Sequence, residues 1–404
     1  MKILLINHYA GNPRLGMEFR PYYMAQEWQK RGQVLIVGAS FSHLRKIQPD
    51  TAEETIHHVH YRWLKTNRYN GNGIGRIISM FLFIGQLYWQ ASSFLKNFRP
   101  DIVIASSTYP LDIYPAEKIA RKYGAKLIYE IHDLWPLSPM ELGGYSKNHP
   151  FIKVMQRAEN MAYQKVDAVV CMLPKAKEHT VEHGLAPEKF HYVPNGVVVS
   201  DWDNPAPLPE EHVALLKKLK SEQQFIVGFA GAHGIANSLQ AVIRAAHLQK
   251  EEKVALVLVG NGQEKENLKQ YVKNNQIENV YFLPAIRKLA IPTLLQQMDI
   301  LYIGLQKQSL FRFGISPNKI FDYMMAKKPF IQAIEAGNNL VKEAGCGLDV
   351  EPDNVEAIAA AIKQLHKMSK EEIKQLGENG YQFVMKNHTY DILAERFLHI
   401  MENI

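Results

Sequence analysis

Short apolar runs recur along the whole chain, each closed by a polar or glycine-containing turn and most followed by a helical stretch. KILLINHY opens the series and ends in a Gly/Pro-containing loop; EFRPYYMAQEWQKRG then reads as a helix and VLIVGAS as the next strand. DIVIASS (101–107), KLIYEIHD (126–133), DAVVCML (167–173) and FHYVPNGV (190–197) continue the series, with PAEKIARKYG as a helix between the first two. DWDNPAPLPEEH, rich in Pro and acids, reads as a linker. After it the pattern restarts with FIVGFAG (225–231), KVALVLVGNG (253–262), VYFLP (280–284), DILYIGL (299–305), PFIQAI (329–334) and GLDV (347–350). Strands alternating with helices predict an α/β protein with parallel sheets. The restart predicts an N-terminal domain over 1–197 and a C-terminal domain over 198–387. Residues 388–404 read as a C-terminal amphipathic helix that could close the chain against either domain, including by packing back on the N-terminal one. Ligands of open parallel sheets bind beyond the carboxyl ends of the strands. Two such Rossmann-like, doubly wound domains, facing each other, would line one cleft.

A length of 404 residues exceeds one compact core and agrees with two domains. The net charge of +7 is uneven: residues 1–195 carry 24 Lys+Arg against 16 Asp+Glu, and the remainder 23 against 24. The first domain is therefore the one to meet an acidic lipid surface, a polyanion or a phosphate-bearing substrate. No basic run is interleaved with aromatics, so no nucleic-acid partner is expected. Cys171 and Cys346 make neither a disulfide framework nor a metal spacing, which fits a reducing, cytoplasmic compartment. MKILLINHYAG is too short for the apolar core of a signal peptide. IISMFLFIGQLYWQASSFL (77–95) is interrupted by Gln86, Gln90, Ser92 and Ser93, so it reads as a buried or interfacial helix rather than a span. With Phe19, Tyr22, Tyr23 and Trp28 it marks a patch for peripheral contact with an anionic membrane, although core packing explains each aromatic as well.

Several chemistries lack their signatures. NHYAGNPRLG and VGNGQEK contain glycines without a G-x-G-x-x-G fingerprint, and no G-x-x-x-x-G-K-[ST] loop occurs. No Asp-x-Asp doublet outside the linker's DWD (201–203), and no His/Cys cluster, suggests a bound metal.

SPNKIFDYMMAKKPFI (316–331) carries more information. It reads as a Ser cap, a Pro at the first helical position, about three turns of helix and a Pro-terminated stop. Ile320, Phe321, Met324 and Met325 cover the buried side, while Lys319 and Asp322 sit one turn apart on another. The bland reading is an i,i+3 ion pair on a wet face, worth under about 1 kcal/mol. The sharper one is an anion site at a helix start, where free N–H groups, the helix dipole and Lys319 favour phosphate and a carboxylate accepts a vicinal diol.

NHYAGNPRLGMEFRPYYMAQEW, SFSHLR, YEIHDLWP, VPNGV, FAGAHGIANSL, LVGNGQEKENL and SPNKIFDYMMAKKPF follow one another along nearly the whole chain. In that order they resemble the GT-B glycosyltransferases of the retaining family 4 type, particularly the branch acting in bacterial surface-polysaccharide biosynthesis. The resemblance implies a hexosyltransferase-like enzyme whose nucleotide-sugar, UDP-linked, is a substrate rather than a cofactor. It implies transfer with retention and without metal to a glycan or polyprenyl-diphosphate-linked acceptor. The SPNK-type helix start, with Ser316, Asn318 and Lys319, then meets the diphosphate, and Asp322 holds the ribose. His132 matches the family's His beside the reacting sugar; it ends a strand and precedes Asp133, against the usual structural fate of a lone His. Glu130 orients it or meets the acceptor.

Two departures stand out. The first acid of the family's E-x7-E pair falls at Gly314, leaving backbone N–H groups of Ile315 and Ser316 for the donor sugar. The loop that usually supplies Arg and Lys to the diphosphate carries Ala232 and Asn237, so Lys319 and Arg312 are the remaining cations. Gly231 and Gly234 can present N–H groups, with His233 as a ligand or a loop cap. Gly260 and Gly262 permit close approach, or merely turn the chain. Leu283 and Ile286, with Pro284 and Ala285, can wall the base. Gly11 and Gly16 would admit the acceptor or diphosphate, and Arg14 and Arg20 would bind an acceptor phosphate. A leaving diphosphate steadied by Lys319 and the helix start, through a front-face oxocarbenium-like ion pair, completes the reading. The competing readings are an inactive membrane-surface subunit of a polysaccharide assembly complex and a sugar-nucleotide epimerase.

Overall fold

The computed structural model describes residues 1–71 and 73–404, in two compact units. Unit 1 comprises Met1–Asn195, Phe313–Ser316 and Tyr390–Ile404; unit 2 comprises Gly196–Arg312 and Pro317–Thr389.

Unit 1 is built on eight strands: β1 (Lys2–Ile6), β2 (Gln33–Ala39), β3 (Glu53–Ile56), β4 (Val59–Leu64), β5 (Ile102–Ala105), β6 (Lys126–Ile131), β7 (Ala168–Cys171) and β8 (Phe190–Tyr192). Their order is β3-β4-β2-β1-β5-β6-β7-β8. Leu4 of β1 lies between Leu35 of β2 and Val103 of β5 in parallel register. These central strands are covered on both faces, which is why they read as near-continuous apolar runs. Each fully buried Val, Leu or Ile in them contributes about 1.5–3 kcal/mol relative to exposure. The β3–β4 hairpin is antiparallel and escaped the sequence reading. Its two-residue turn is His57-His58, both at positive φ, where Asn-Gly is the usual signal.

The Ile74–Phe94 helix buries only Ser79, Met80, Phe83, Leu87 and Ala91. Ile74, Ile78, Phe81, Leu82 and Trp89 stay exposed, Trp89 at 81%. Among the described residues no helix is long and apolar enough to cross a membrane. The Tyr390–Glu402 helix belongs to unit 1: Trp28 donates its Nε1–H to Ala394 O at 3.2 Å and packs edge-on against Phe397.

Unit 2 is an all-parallel sheet of β9 (Phe225–Ala230), β10 (Val254–Val259), β11 (Val280–Leu283), β12 (Ile300–Gly304), β13 (Phe330–Ala333) and β14 (Gly347–Val350). The order is β11-β10-β9-β12-β13-β14. The Pro-rich linker lies along this unit rather than hanging free. Ala206 N–H donates to Leu289 O, Thr293 Oγ1 donates to Ala206 O, and Asp201 pairs with Lys288 at 3.5 Å.

The strand order reverses between β1 and β5 in one sheet and between β9 and β12 in the other. Crevices open at such reversals beyond the carboxyl ends of the strands, so these two places are where polar side chains have chemical meaning.

Candidate active site

In unit 2 the loops after β9 and β10 interlock. Gly231 N–H donates to Val259 O, His233 N–H to Asn261 O and Glu264 N–H to His233 O, all at 2.9 Å. A Cβ on Gly260 would lie 1.8 Å from Gly231 O, and one on Gly262 2.3 Å from His233 O. Here glycine is required by loop against loop, which is the turn-making alternative for Gly260 and Gly262. A Cβ on Gly231 would meet Lys319 Nζ at 3.0 Å, whereas Gly234 faces open space, with Asn237 Nδ2 4.0 Å away.

The helix predicted to start at Pro317 spans Asn318–Met325, with Pro317 as its N-cap. Ser316 is not its side-chain cap. The Ser316 hydroxyl accepts the Asn195 N–H at 2.8 Å and its carbonyl accepts Asn195 Nδ2 at 2.9 Å. The first helical N–H groups, those of Asn318 and Lys319, precede the intrahelical ladder. Ile320, Phe321, Tyr323, Met324 and Met325 are buried, as their spacing required.

Lys319 and Asp322 do not form the i,i+3 pair. Lys319 Nζ donates to Asn237 Oδ1 at 2.8 Å and lies 4.4 Å from the centre of the Phe229 ring. Burial pushes its pKa down to about 8. Burial pushes the Asp322 carboxyl up to about 6, with Lys288 opposing and Asp201 adding to the rise. Asn237 thus occupies the position expected of a second cation and holds the Lys319 amine. Arg312 donates Nη1 to Ser309 O at 2.7 Å.

His233, which sequence left open between ligand and cap, is fully buried, and neither ring nitrogen has a partner among the described residues. Burial, then Lys265, Lys319 and Lys269, push its pKa down to about 4, so the ring is neutral at pH 7. Of the base wall, the Leu283 carbonyl already accepts Gly260 N–H and Lys265 Nζ, and the Pro284 carbonyl accepts His212 Nε2. Ile286, half-buried, lies beyond them.

Gly314, Ile315 and Ser316 belong to unit 1. Gly314 has φ +101°, a conformation that side chains disfavour. The missing first acid is therefore a consequence of backbone shape at that point.

In unit 1 the polar groups gather at the ends of β1, β5 and β6. Arg20, 1% exposed, donates Nε to Glu130 Oε1 at 2.8 Å, Nη1 to Pro194 O at 2.5 Å and Nη2 to Val193 O at 3.0 Å. Its donors are committed inside the fold, which corrects the expectation of a phosphate-binding Arg20. Burial alone would raise the Glu130 carboxyl, but Arg20 and His132, with hydrogen bonds from His132 and Ser106, outweigh it and hold the pKa well below the carboxylate range. Ser106 Oγ donates to Glu130 Oε2 at 2.6 Å, so the hydrogen in the 2.9 Å contact between Ser106 Oγ and His132 Nε2 comes from the ring. Glu130 Oε2 lies 3.3 Å from the same nitrogen. With its hydrogen on Nε2, the ring presents Nδ1 as the acceptor. Glu130 thus holds the His132 ring in place from within the fold.

Sequence reasoning missed Ser106, whose signal was the polar pair ending DIVIASS. It also missed Asp112, whose Oδ2 accepts the Ser107 N–H at 2.9 Å and whose carboxyl burial pushes up to about 7. Gly11 serves its own loop, since a Cβ there would lie 2.0 Å from Gly16 O, and Gly16 has φ +115° beside Lys46 N. Arg14 pairs with Glu54 on the surface.

Residues 16–201 match the family model described as Glycosyltransferase Family 4, and residues 224–368 match that described as Glycosyl transferases group 1. The chain is 22% identical over 337 residues to WbjE of Pseudomonas aeruginosa, assigned as a glycosyltransferase, covering 82% of this chain and 80% of that one. It is 24% identical over 275 residues to WcaI of Escherichia coli K12, assigned as a colanic acid biosynthesis glycosyl transferase, covering 67% of each. The crystal structure of Anabaena HepE in complex with UDP superposes with a TM-score of 0.72 at 17% identity, covering 100% of both chains.

Proposed function

The chain belongs to the GT-B glycosyltransferases of the family 4 type, and on that premise we propose that it moves a sugar from a UDP-sugar to a glycan or polyprenyl-diphosphate-linked acceptor in surface-polysaccharide assembly. One observation carries the donor half of this reading. At the head of the Asn318–Met325 helix stand a buried amine without a carboxylate partner and, one turn on, a carboxyl forced upward by burial. A diphosphate and a ribose diol satisfy both groups at once. HepE binding UDP on the same fold, and the assignment of WcaI to colanic acid biosynthesis, support the nucleotide and the pathway class.

In this reading Lys319, with the N–H groups at the helix start, stabilises the leaving diphosphate, most strongly as charge develops in the transition state. Asp322 holds the ribose hydroxyls. Ile315 and Ser316 offer backbone N–H groups to the sugar, Gly234 offers one to the diphosphate, and Leu283 and Ile286 flank the base. His132 accepts a sugar hydroxyl through Nδ1. Transfer retains configuration by a front-face ion pair, and Lys319 and the helix start neutralise the diphosphate without a divalent ion. The exposed apolar side of the Ile74–Phe94 helix, on the basic unit, rests on the anionic inner face of the cytoplasmic membrane.

Thermal stabilisation against UDP, GDP, ADP and dTDP, without and with divalent metal, tests the proposal. A metal-independent shift by UDP alone is expected. Calorimetry should show Asp322→Ala weakening UDP binding at least about 10-fold with the fold intact. No shift by any nucleotide would overturn the transferase reading in favour of a non-catalytic subunit.

A further inference from the structure

We propose that Glu159, His179 and His183 of unit 1 bind one Zn2+ ion. None of the three is among the residues read as donor- or acceptor-binding, and the assignment does not depend on the transferase reading.

One ligand atom from each of the three lies within 4.8 Å of the other two. His179 lies on the Lys177–Glu182 helix and His183 caps it, so a spacing of four brings both rings to one face, with centroids 4.3 Å apart. Glu159 comes from the Pro150–Lys165 helix and is 1% exposed. Its Oε1 is 3.1 Å from His179 Nε2. Ligands about 2.0–2.2 Å from a tetrahedral Zn2+ stand about 3.3 Å apart, so this edge of the polyhedron already has its length.

The surrounding hydrogen bonds aim the ligands. His183 donates its Nδ1–H to His179 O at 2.8 Å, which leaves the Nε2 lone pair for a metal. Tyr163 donates its hydroxyl to Glu159 Oε1 at 2.9 Å, and Gln156 Nε2 donates to Oε2 at 2.7 Å. A plain His179–Glu159 ion pair would account for those two residues. It gives no reason for the second imidazole to be held against the first in a fixed tautomer.

Two imidazole nitrogens and one carboxylate oxygen are a donor set for Zn2+ rather than for Mg2+ or Ca2+, which take oxygen ligands, with water in the fourth position. The ion would tie the six-residue Lys177–Glu182 helix, too short to persist alone, to the Pro150–Lys165 helix. It would also steady the Phe313 segment, whose ring packs edge-on against His179 and whose carbonyl accepts Lys175 N–H.

The full chain, stripped with chelator and dialysed, is titrated with Zn2+ by calorimetry and with Co2+ by visible absorption. One ion per chain is expected, with the d–d bands of tetrahedral cobalt. His183→Ala and Glu159→Gln should each lose at least about 100-fold in affinity, and His399→Ala none. Should either ligand variant fail to fold, protection of His183 in the wild type from diethyl pyrocarbonate by Zn2+ decides instead. Substoichiometric binding, an unchanged affinity in His183→Ala, or equal modification with and without Zn2+ would overturn the assignment. UDP binding would be unaffected by that failure.

Discussion

The polar clusters around Glu130 and around Lys319 treat their buried charges in opposite ways. In unit 1 Arg20, Glu130, Ser106 and His132 satisfy one another, and what emerges is a single aimed ring. In unit 2 Lys319, Asp322 and His233 are each displaced from their ordinary protonation behaviour by burial, without an opposite charge in hydrogen-bond contact among the described residues. A closed network rigidifies, because removing one member strands the others in a low dielectric. Groups held in costly states with partners missing are poised for a ligand that supplies them. On this contrast rests the proposal that Arg20, Glu130 and Ser106 hold the site while Lys319 and Asp322 bind the donor.

Three experiments test that contrast. Arg20→Ala should have the largest effect, lowering stability in chemical denaturation by about 3–5 kcal/mol, because Glu130 would be left buried and unpaired. A loss below about 1 kcal/mol would mean the network is not closed. Lys319→Ala should instead leave the melting temperature unchanged or higher while turnover falls about 100-fold or more. UDP affinity of the wild type should decline above about pH 8, where Lys319 loses its proton, and stay flat in the variant. The smallest effect belongs to Asp322→Asn. The wild-type carboxyl binds its proton more tightly folded, near pH 6, than unfolded, near its ordinary value of 3.8. Its contribution to stability is thus full below about pH 3.8 and lost as pH rises through about 6. Between pH 5 and 7 the melting temperature of the wild type should therefore fall relative to Asp322→Asn, by about 2–4 °C. Parallel profiles would show that Asp322 is not held upward.

Apolar periodicity and turn residues sufficed for the alternation of strands and helices, the restart after the linker and the buried side of the Asn318–Met325 helix, because burial on a sheet leaves a local imprint on sequence. The β3–β4 hairpin was lost because His57-His58 adopts positive φ without the Gly or Asn that advertises it. Arg20 looked like a solvated cation because its partners are Glu130, Val193 and Pro194, far along the chain. Lys319 and Asp322 were singled out together, but their separation from each other was not legible, since Asn237 and the linker's Asp201 reach them only through the fold. The spacing of His179 and His183 was visible in EHTVEH and went unused, because Glu159 comes to it from another helix.

Local pattern alone yielded every strand but β3 and β4, the residues at those strands' carboxyl ends and the order of motifs that resembles the family. Only the tertiary structure decided which charges are satisfied and which are left waiting. Burial and protonation depend on what packs around a group in three dimensions, and those neighbours come from distant parts of the chain.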